Sequence, residues 1–184
     1  MSMLKRGWRA VQDLFRDLRG ALIITRREIK DTMRDWRIVL PITILVAGFP
    51  IIANFVAVQG IDFVTRYGAS LIVERLYPFL MLVVGFFPST FSLVIALETF
   101  VGEKERRSLE PLLATPLTDL QLYVGKLLAS VIPPVAASYL GMGIYVLMLG
   151  LTLGWWAPLN LLALALALAT VQSVVMVAGA VIVS

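Results

Sequence analysis

The chain has 184 residues, of which 59% are hydrophobic and 15% are charged, and its formal net charge at pH 7 is +4. Soluble domains carry roughly 25% charged residues, so this composition indicates an integral membrane protein. The chain contains neither cysteine nor histidine, which excludes disulfides, thiolate metal sites and catalytic triads built on histidine. It also lacks the GxxxxGK[ST] phosphate loop, which excludes that route to ATP binding.

Four apolar segments are long enough to cross a hydrocarbon core of about 30 Å as helices, the form that satisfies the backbone in lipid. The sequence therefore predicts an all-α fold, a polytopic transmembrane helix bundle, with spans at about 38–59, 78–101, 127–149 and 160–183. The alternating Leu and Ala residues within 161–169 are predicted to be helical, because both residue types are apolar and favour helix.

The distribution of Lys and Arg predicts the orientation of these spans. Residues 1–37 hold ten of the sixteen basic residues, 60–77 hold two, 102–126 hold four and 150–158 hold none. Basic residues concentrate on the cytoplasmic side, so we expect both termini to be cytoplasmic in the cell membrane. This topology accounts for the positive net charge, and no nucleic-acid partner is expected.

The N-terminal segment, residues 1–37, is predicted to form a cytoplasmic helix with one apolar face. Its apolar residues follow a 4-3-4-3-4 spacing, which places them within an arc of about 80° on a helix. Basic residues dominate the opposite face, as in a helix that lies in the membrane interface against the lipid bilayer. A coiled-coil seam and a docking surface for a cytoplasmic partner remain alternatives. The membrane-facing residues are Leu4, Trp8, Val11, Phe15, Leu18 and Leu22.

The loop between the second and third predicted spans, residues 102–126, contains a charged run followed by leucines. Glu103 and Arg107 are four residues apart, acid first, which favours a helix that continues beyond the second span. Either Thr115 with Pro116, or Thr118 with Gln121 as a capping box, begins the next helix. The apolar turn between these helices fits a partner's groove or folds back onto the bilayer, and the residues alone leave both options open.

This stretch, ETFVGEKERRSLEPLLATPLTDLQLYVGK, resembles the signature of type-2 ABC exporter permeases, in particular the sodium-exporter-like subgroup. That signature reads E-[KR]-E-x-G-T-L-E-x-L-L-x-T-P and is followed by G-K before the third span. Arg107 and Ser108 stand where Gly-Thr is usual. The segment TRREIKDTMRDWRIVLP is similar to the connector that precedes the first span in that family.

The resemblance implies that the N-terminal helix is the connector and that the loop binds a separate ATP-binding subunit. ATP and magnesium would be held by that subunit, and this chain would have no cofactor, metal or catalytic residue of its own. The residues implied to contact the ATP-binding subunit are Glu103, Glu105, Arg106, Leu109, Glu110, Leu112, Leu113, Thr115 and Pro116.

The permeases of this family normally have six spans, whereas four are predicted in this chain. We therefore expect a truncated or split permease that works with a second permease copy or with a chain supplying the missing spans. The alternative is a reduced permease-like accessory subunit of another membrane complex.

The predicted span interiors are almost free of ionisable residues, which disfavours an ion-coupled carrier or an intramembrane enzyme. Glu98 lies near the cytoplasmic end of the second span, where a structural role is expected. The remaining polar residues are expected to bond to carbonyls of their own helix or to a neighbouring helix. They are Asn54, Ser89, Thr90, Ser92, Ser130, Ser138, Gln172 and Ser173.

Overall fold

A computed structural model describes residues 20–67, 70–105 and 118–183. Within these ranges the chain is helical apart from short connections, and no strand is present. Helix α1 covers residues 20–32 of the described part. It is followed by α2 (Trp36–Arg66), α3 (Ser70–Glu105), α4 (Asp119–Leu153) and α5 (Leu159–Val183).

Helices α2 to α5 confirm the four predicted spans and the all-α fold, and each is long and apolar enough to cross a membrane. The 36 residues of α3 extend about 54 Å, well beyond a hydrocarbon core of about 30 Å. The helices therefore run past the predicted spans, which were drawn from apolar residues alone. Residues 161–169 are helical, as predicted.

Local sequence signals account for where these helices begin and end. The side chain of Asp35 caps α2 by accepting a hydrogen bond of 2.9 Å from the backbone N–H of Arg37. Thr118 caps α4 and forms a complete capping box with Gln121, which selects one of the two predicted helix starts. Gly154 ends α4 in the left-handed conformation, at φ 68°, which glycine adopts without a steric penalty.

Helix α3 packs against α2, α4 and α5, and so forms the centre of the bundle. Small residues allow this close packing, because interfaces between membrane helices depend on close contact of their surfaces rather than on the exclusion of water. On α2, Ala53 and Ala57 are buried one turn apart. On α5 the buried residues form one stripe, which consists of Ala165, Ala169, Ser173, Val177 and Ala180.

The polar side chains of the spans bond mostly as predicted. Ser130 and Ser138 donate to carbonyls four residues earlier, at 3.0 and 2.9 Å. Ser89 and Thr90 donate to carbonyls three residues earlier, beside Pro88, whose missing N–H disturbs the helical ladder. These hydroxyls therefore satisfy backbone groups of their own helices.

Contacts between polar side chains also connect different helices. The hydroxyl of Ser92 in α3 donates to that of Ser173 in α5 at 2.9 Å, and both residues are fully buried. Thr152 Oγ1 in α4 lies 3.0 Å from Asn54 Oδ1 in α2. Together these contacts tie α3 to α5 and α2 to α4.

Candidate coupling site

The structure describes only part of the predicted contact surface for an ATP-binding subunit. Glu103 and Glu105 belong to the last two turns of α3, which confirms that this helix continues beyond the predicted span. The other predicted contact residues, 106–116, lie outside the described residues. Of the predicted membrane-facing residues, Leu22 lies in α1 and is exposed, whereas Leu4, Trp8, Val11, Phe15 and Leu18 lie outside the described residues.

The two helices that flank the predicted contact loop are packed against each other where they meet it. The rings of Phe100 in α3 and Tyr123 in α4 lie 5.9 Å apart, centroid to centroid, and are tilted by 51°. Phe100 also packs on a buried cluster that includes Ala96 and Val131. Helices α3 and α4 are therefore in contact with each other next to the segment that connects them.

Helix α1 packs directly on the first turns of α4 through Gly125. A Cβ atom at position 125 would lie 2.8 Å from Ile24 Cβ and 3.0 Å from the carbonyl oxygen of Ala21. The hydroxyl of Thr25 is within hydrogen-bond distance of the Gly125 carbonyl, at 3.1 Å, and of the Ala21 carbonyl, at 2.9 Å. Thr25 is 3% exposed, so this contact is closed to water.

A further close approach and a charge interaction lie on either side of Gly125 in the α1–α4 interface. A Cβ atom at Gly20 would lie 2.8 Å from the Gln121 side-chain oxygen, so the two helices are close at this point as well. On the other side Lys126 is buried at 7% exposure, and its charge interacts with that of Glu28. The glycine of the Gly-Lys pair in the sequence signature therefore lies directly against α1, and the charge of the lysine interacts with a carboxylate of the same helix.

Acidic side chains line a crevice between the α1–α2 junction and α3. Its volume is about 190 Å³, and it includes Glu28, Asp31 and Asp35 from one side and Glu98 from the other. Glu98 lies seven residues before the end of α3. The predicted span, which ends at residue 101, would place it in the last turn, and the structure shows that the helix continues for almost two turns beyond it. Within the described ranges, no group of three or more acidic residues is arranged to hold a metal ion.

Sequence analysis missed the residues on α1 that contact α4. Gly20 and Ile24 are four positions apart, and so are Ala21 and Thr25, so all four residues lie on one face of the helix. Three of them, Gly20, Ala21 and Thr25, are small. A short stripe of small residues on a charged helix was the available signal, since close helix contacts require small side chains. The apolar and charged residues around this stripe instead favour a helix that lies in the membrane interface.

The predicted spans 38–59, 127–149 and 160–183 contain no Asp, Glu, Lys or Arg. The interior of the bundle is lined instead by small and apolar side chains, with Met81, Val84, Met142 and Tyr145 fully buried at the centre. The oxygen Oε1 of Gln172 is buried without a hydrogen-bond partner among the described residues, while its Nε2 donates to the Phe86 carbonyl at 3.4 Å.

Comparison with protein families gives one finding that bears on this site. Residues 22–184 match the model of a family described as ABC-2 family transporter protein. The matched range includes nearly all of α1, the loop at 106–117 and all four spans. Comparison with curated proteins gives no match.

Proposed function

The chain belongs to the ABC-2 family of transporter proteins, and from this premise we propose that it couples ATP hydrolysis in a separate subunit to export. Membership and the four membrane-crossing helices make it a multi-pass membrane permease. Permeases of this family normally pair with an ATP-binding subunit. In the proposal that subunit holds ATP and magnesium, and this chain supplies the path across the membrane.

The proposed contact surface is the coupling loop, which we define as residues 102–126. Its acidic and basic residues Glu103, Glu105, Arg106 and Glu110 would pair with charges of the partner. Its leucines would fill an apolar cleft, because apolar side chains buried at the centre of an interface contribute most to binding. The leucines and the turn after them are Leu109, Leu112, Leu113, Thr115 and Pro116.

The observation that supports this proposal best is the packing around the two ends of the loop. Phe100 and Tyr123 join α3 to α4, and Gly125 joins α4 to α1. Movement of the loop would therefore be passed to three helices at once. In the proposed mechanism, ATP-driven closure of the partner subunits pushes the loop and rocks the spans between inward-open and outward-open states.

The test is native mass spectrometry of the protein extracted from its own membrane in mild detergent, with loop variants measured in parallel. We expect a complex containing two permease chains and two copies of a protein with a phosphate loop and measurable ATPase activity. The double variant Leu112→Asp/Leu113→Asp should lose that protein while still inserting into the membrane. The matched double variant Leu112→Met/Leu113→Met should keep it, because methionine preserves the apolar surface.

Two outcomes would contradict the proposal. Association unchanged by the aspartate substitutions would remove the coupling loop as the contact surface. A complex that contains this chain and another membrane assembly but no ATPase would favour the accessory-subunit alternative. The same spectra would show whether a further chain contributes spans to the complex.

A narrower proposal concerns the type of exporter. The motif residues from Glu103 to Pro116 resemble the sodium-exporter-like subgroup most closely, so sodium is the first substrate to test. ATP-dependent movement of radioactive sodium into inside-out vesicles would support this assignment. ATPase activity without sodium movement would contradict it and leave the broader exporter proposal in place.

A further inference from the structure

Two neighbouring voids flank the junction between α1 and α2. An apolar groove of about 490 Å³ lies between the junction and α4, and the acidic crevice of about 190 Å³ lies between the junction and α3. Thr32 and Ile38 line both voids, so the junction itself forms the wall that they share. The junction therefore has room to move toward either helix.

Backbone hydrogen bonds continue through this junction. The amides of Met33, Arg34 and Asp35 donate to carbonyls three or four residues earlier, at 2.9 to 3.1 Å. The amide of Val39 then donates to the Asp35 carbonyl at 3.0 Å, within the first turns of α2. Helix α1 and the beginning of α2 are thus joined as one body, which we call the lever and define as residues 20–46.

The lever ends where α2 contacts both of its neighbours. Pro50 is fully buried and has no N–H, so the Val46 carbonyl lacks its usual helical hydrogen bond. A Cβ atom at Gly141 of α4 would lie 4.0 Å from the Cα atom of Val46. The rings of Phe49 and of Phe87 in α3 lie 4.5 Å apart. At this level α2 is therefore weakened in its own backbone and held by α3 and α4.

The lever can leave α4 without leaving a polar group unpaired. Thr25 has one hydroxyl proton and two acceptors, the Gly125 carbonyl at 3.1 Å and the Ala21 carbonyl of its own helix at 2.9 Å. When α1 separates from α4, the bond to Ala21 remains available. Separation therefore avoids the cost of an unsatisfied buried donor, which is the larger part of the cost of breaking a buried hydrogen bond.

Charge favours the position of the lever that is nearer to α4. Glu28, Asp31 and Asp35 share the crevice with Glu98 of α3, so repulsion between carboxylates opposes closure of the crevice. The charge of Lys126 in α4 attracts Glu28. The two voids are therefore not equivalent, because closing the apolar groove brings no like charges together.

We propose that the lever pivots at residues 46–50 between two positions, one that closes the apolar groove and one that closes the acidic crevice. From Pro50 to Trp36, α2 extends about 21 Å, so a tilt of about 10° moves the end at Trp36 by about 4 Å. Mobile acyl chains would leave the groove as it closes, whereas a span of another chain packed in it would hold the lever in place. The movement needs no ATP-binding subunit, so its test is independent of the proposed coupling.

The test is double electron–electron resonance between spin-labelled cysteines, in protein extracted from its own membrane in mild detergent. The chain has no cysteine of its own, and an excess of unlabelled chain restricts the measurement to labels within one chain. The inner pair, Trp36→Cys/Ile182→Cys, joins exposed positions on α2 and α5, which both pack on α3. The outer pair, Tyr67→Cys/Leu159→Cys, joins exposed positions beyond the pivot and is the matched control. We expect two distances, up to about 4 Å apart, for the inner pair and one distance for the outer pair.

Three variants of the labelled chain test the parts of the lever. Glu98→Gln should raise the fraction of the shorter inner distance about twofold, because it removes repulsion across the crevice. Ala136→Phe should abolish the longer distance by filling the groove, whereas Ala167→Phe, exposed on α5 away from the groove, should not. Pro50→Ala should merge the two distances by restoring the missing backbone hydrogen bond, whereas Pro41→Ala, within the lever, should leave both.

Several results would overturn the proposal. A single inner distance that neither Glu98→Gln nor Ala136→Phe changes would show a fixed junction, as expected if a span of another chain occupies the groove. Two distances for the outer pair as well would show that the whole bundle moves rather than the lever. Loss of the second inner distance in Pro41→Ala but not in Pro50→Ala would contradict the pivot.

Discussion

Gly125 in α4 and Ile24 in α1 are so close that a Cβ atom at position 125 would lie 2.8 Å from the Cβ atom of Ile24. The two residues are 101 positions apart in the chain, and together they hold α1 against the first turns of α4. Any side chain at position 125 must separate these helices. The contact therefore depends on glycine, and it lies one residue inside the end of the coupling loop.

Replacing Gly125 with alanine should weaken the packing of α1 on α4. Overpacking at well-packed contacts costs about 1–3 kcal/mol, so α1 should detach before the bundle unfolds. Hydrogen exchange of the backbone amides of residues 20–32 measures this detachment, and we expect faster exchange in the variant.

Gly143→Ala is the matched control for that substitution. Nothing lies within 4 Å of a Cβ atom at position 143, and alanine is favoured over glycine in a helix by roughly 0.5–1 kcal/mol. Exchange in α1 should therefore stay unchanged in the control. Equal protection of α1 in both variants would show that the Gly125 contact does not hold the helix.

The buried hydrogen bond between Ser92 and Ser173 should be measurable by a double-mutant cycle. Ser92→Ala and Ser173→Ala each remove the same bond, so the double variant should lose less than the sum of the two. Interhelical hydrogen bonds in membranes average about 0.6 kcal/mol in such cycles, and we expect a coupling energy of that size from reversible unfolding in detergent. Ser130 is the control partner, because its hydroxyl bonds to the Lys126 carbonyl within its own helix. A coupling between Ser92 and Ser173 no larger than that between Ser130 and Ser173 would contradict the bond.

The predicted orientation can be tested with single cysteines, because the chain has none of its own. Arg27→Cys lies on the side predicted to be cytoplasmic, where the arginine side chain is 75% exposed. Trp156→Cys lies in the α4–α5 connection, where the tryptophan is 58% exposed. A membrane-impermeant maleimide should label position 156 in right-side-out vesicles and position 27 only in inside-out vesicles. The reverse pattern would place both termini outside.

Local signals in the sequence predicted the helices well, and they were less informative about contacts. The capping box at Thr118 and Gln121 was one of two predicted starts for α4, and the structure shows that it is used. Gly141 and Gly143 both have the small size that permits close contact between membrane helices. Gly141 does lie close to Val84 and Val46, whereas position 143 faces open space. The two glycines are two residues apart on one helix, so they lie on different faces of it. Only the positions of the neighbouring helices decide which of the two lies at a close helix contact.

The sequence by itself determined that the chain is a helical membrane protein and that residues 38–183 contain four segments able to cross a membrane. These conclusions depend on composition and on short-range rules, because a backbone in lipid must be helical and a charged residue in lipid is costly. Only the tertiary structure decided that α1 packs on α4 at Gly125, that Phe100 meets Tyr123, and that acidic residues of the α1–α2 junction share a crevice with Glu98. Such contacts join residues far apart in the chain, and their geometry follows from how whole helix surfaces fit together, which no local pattern specifies.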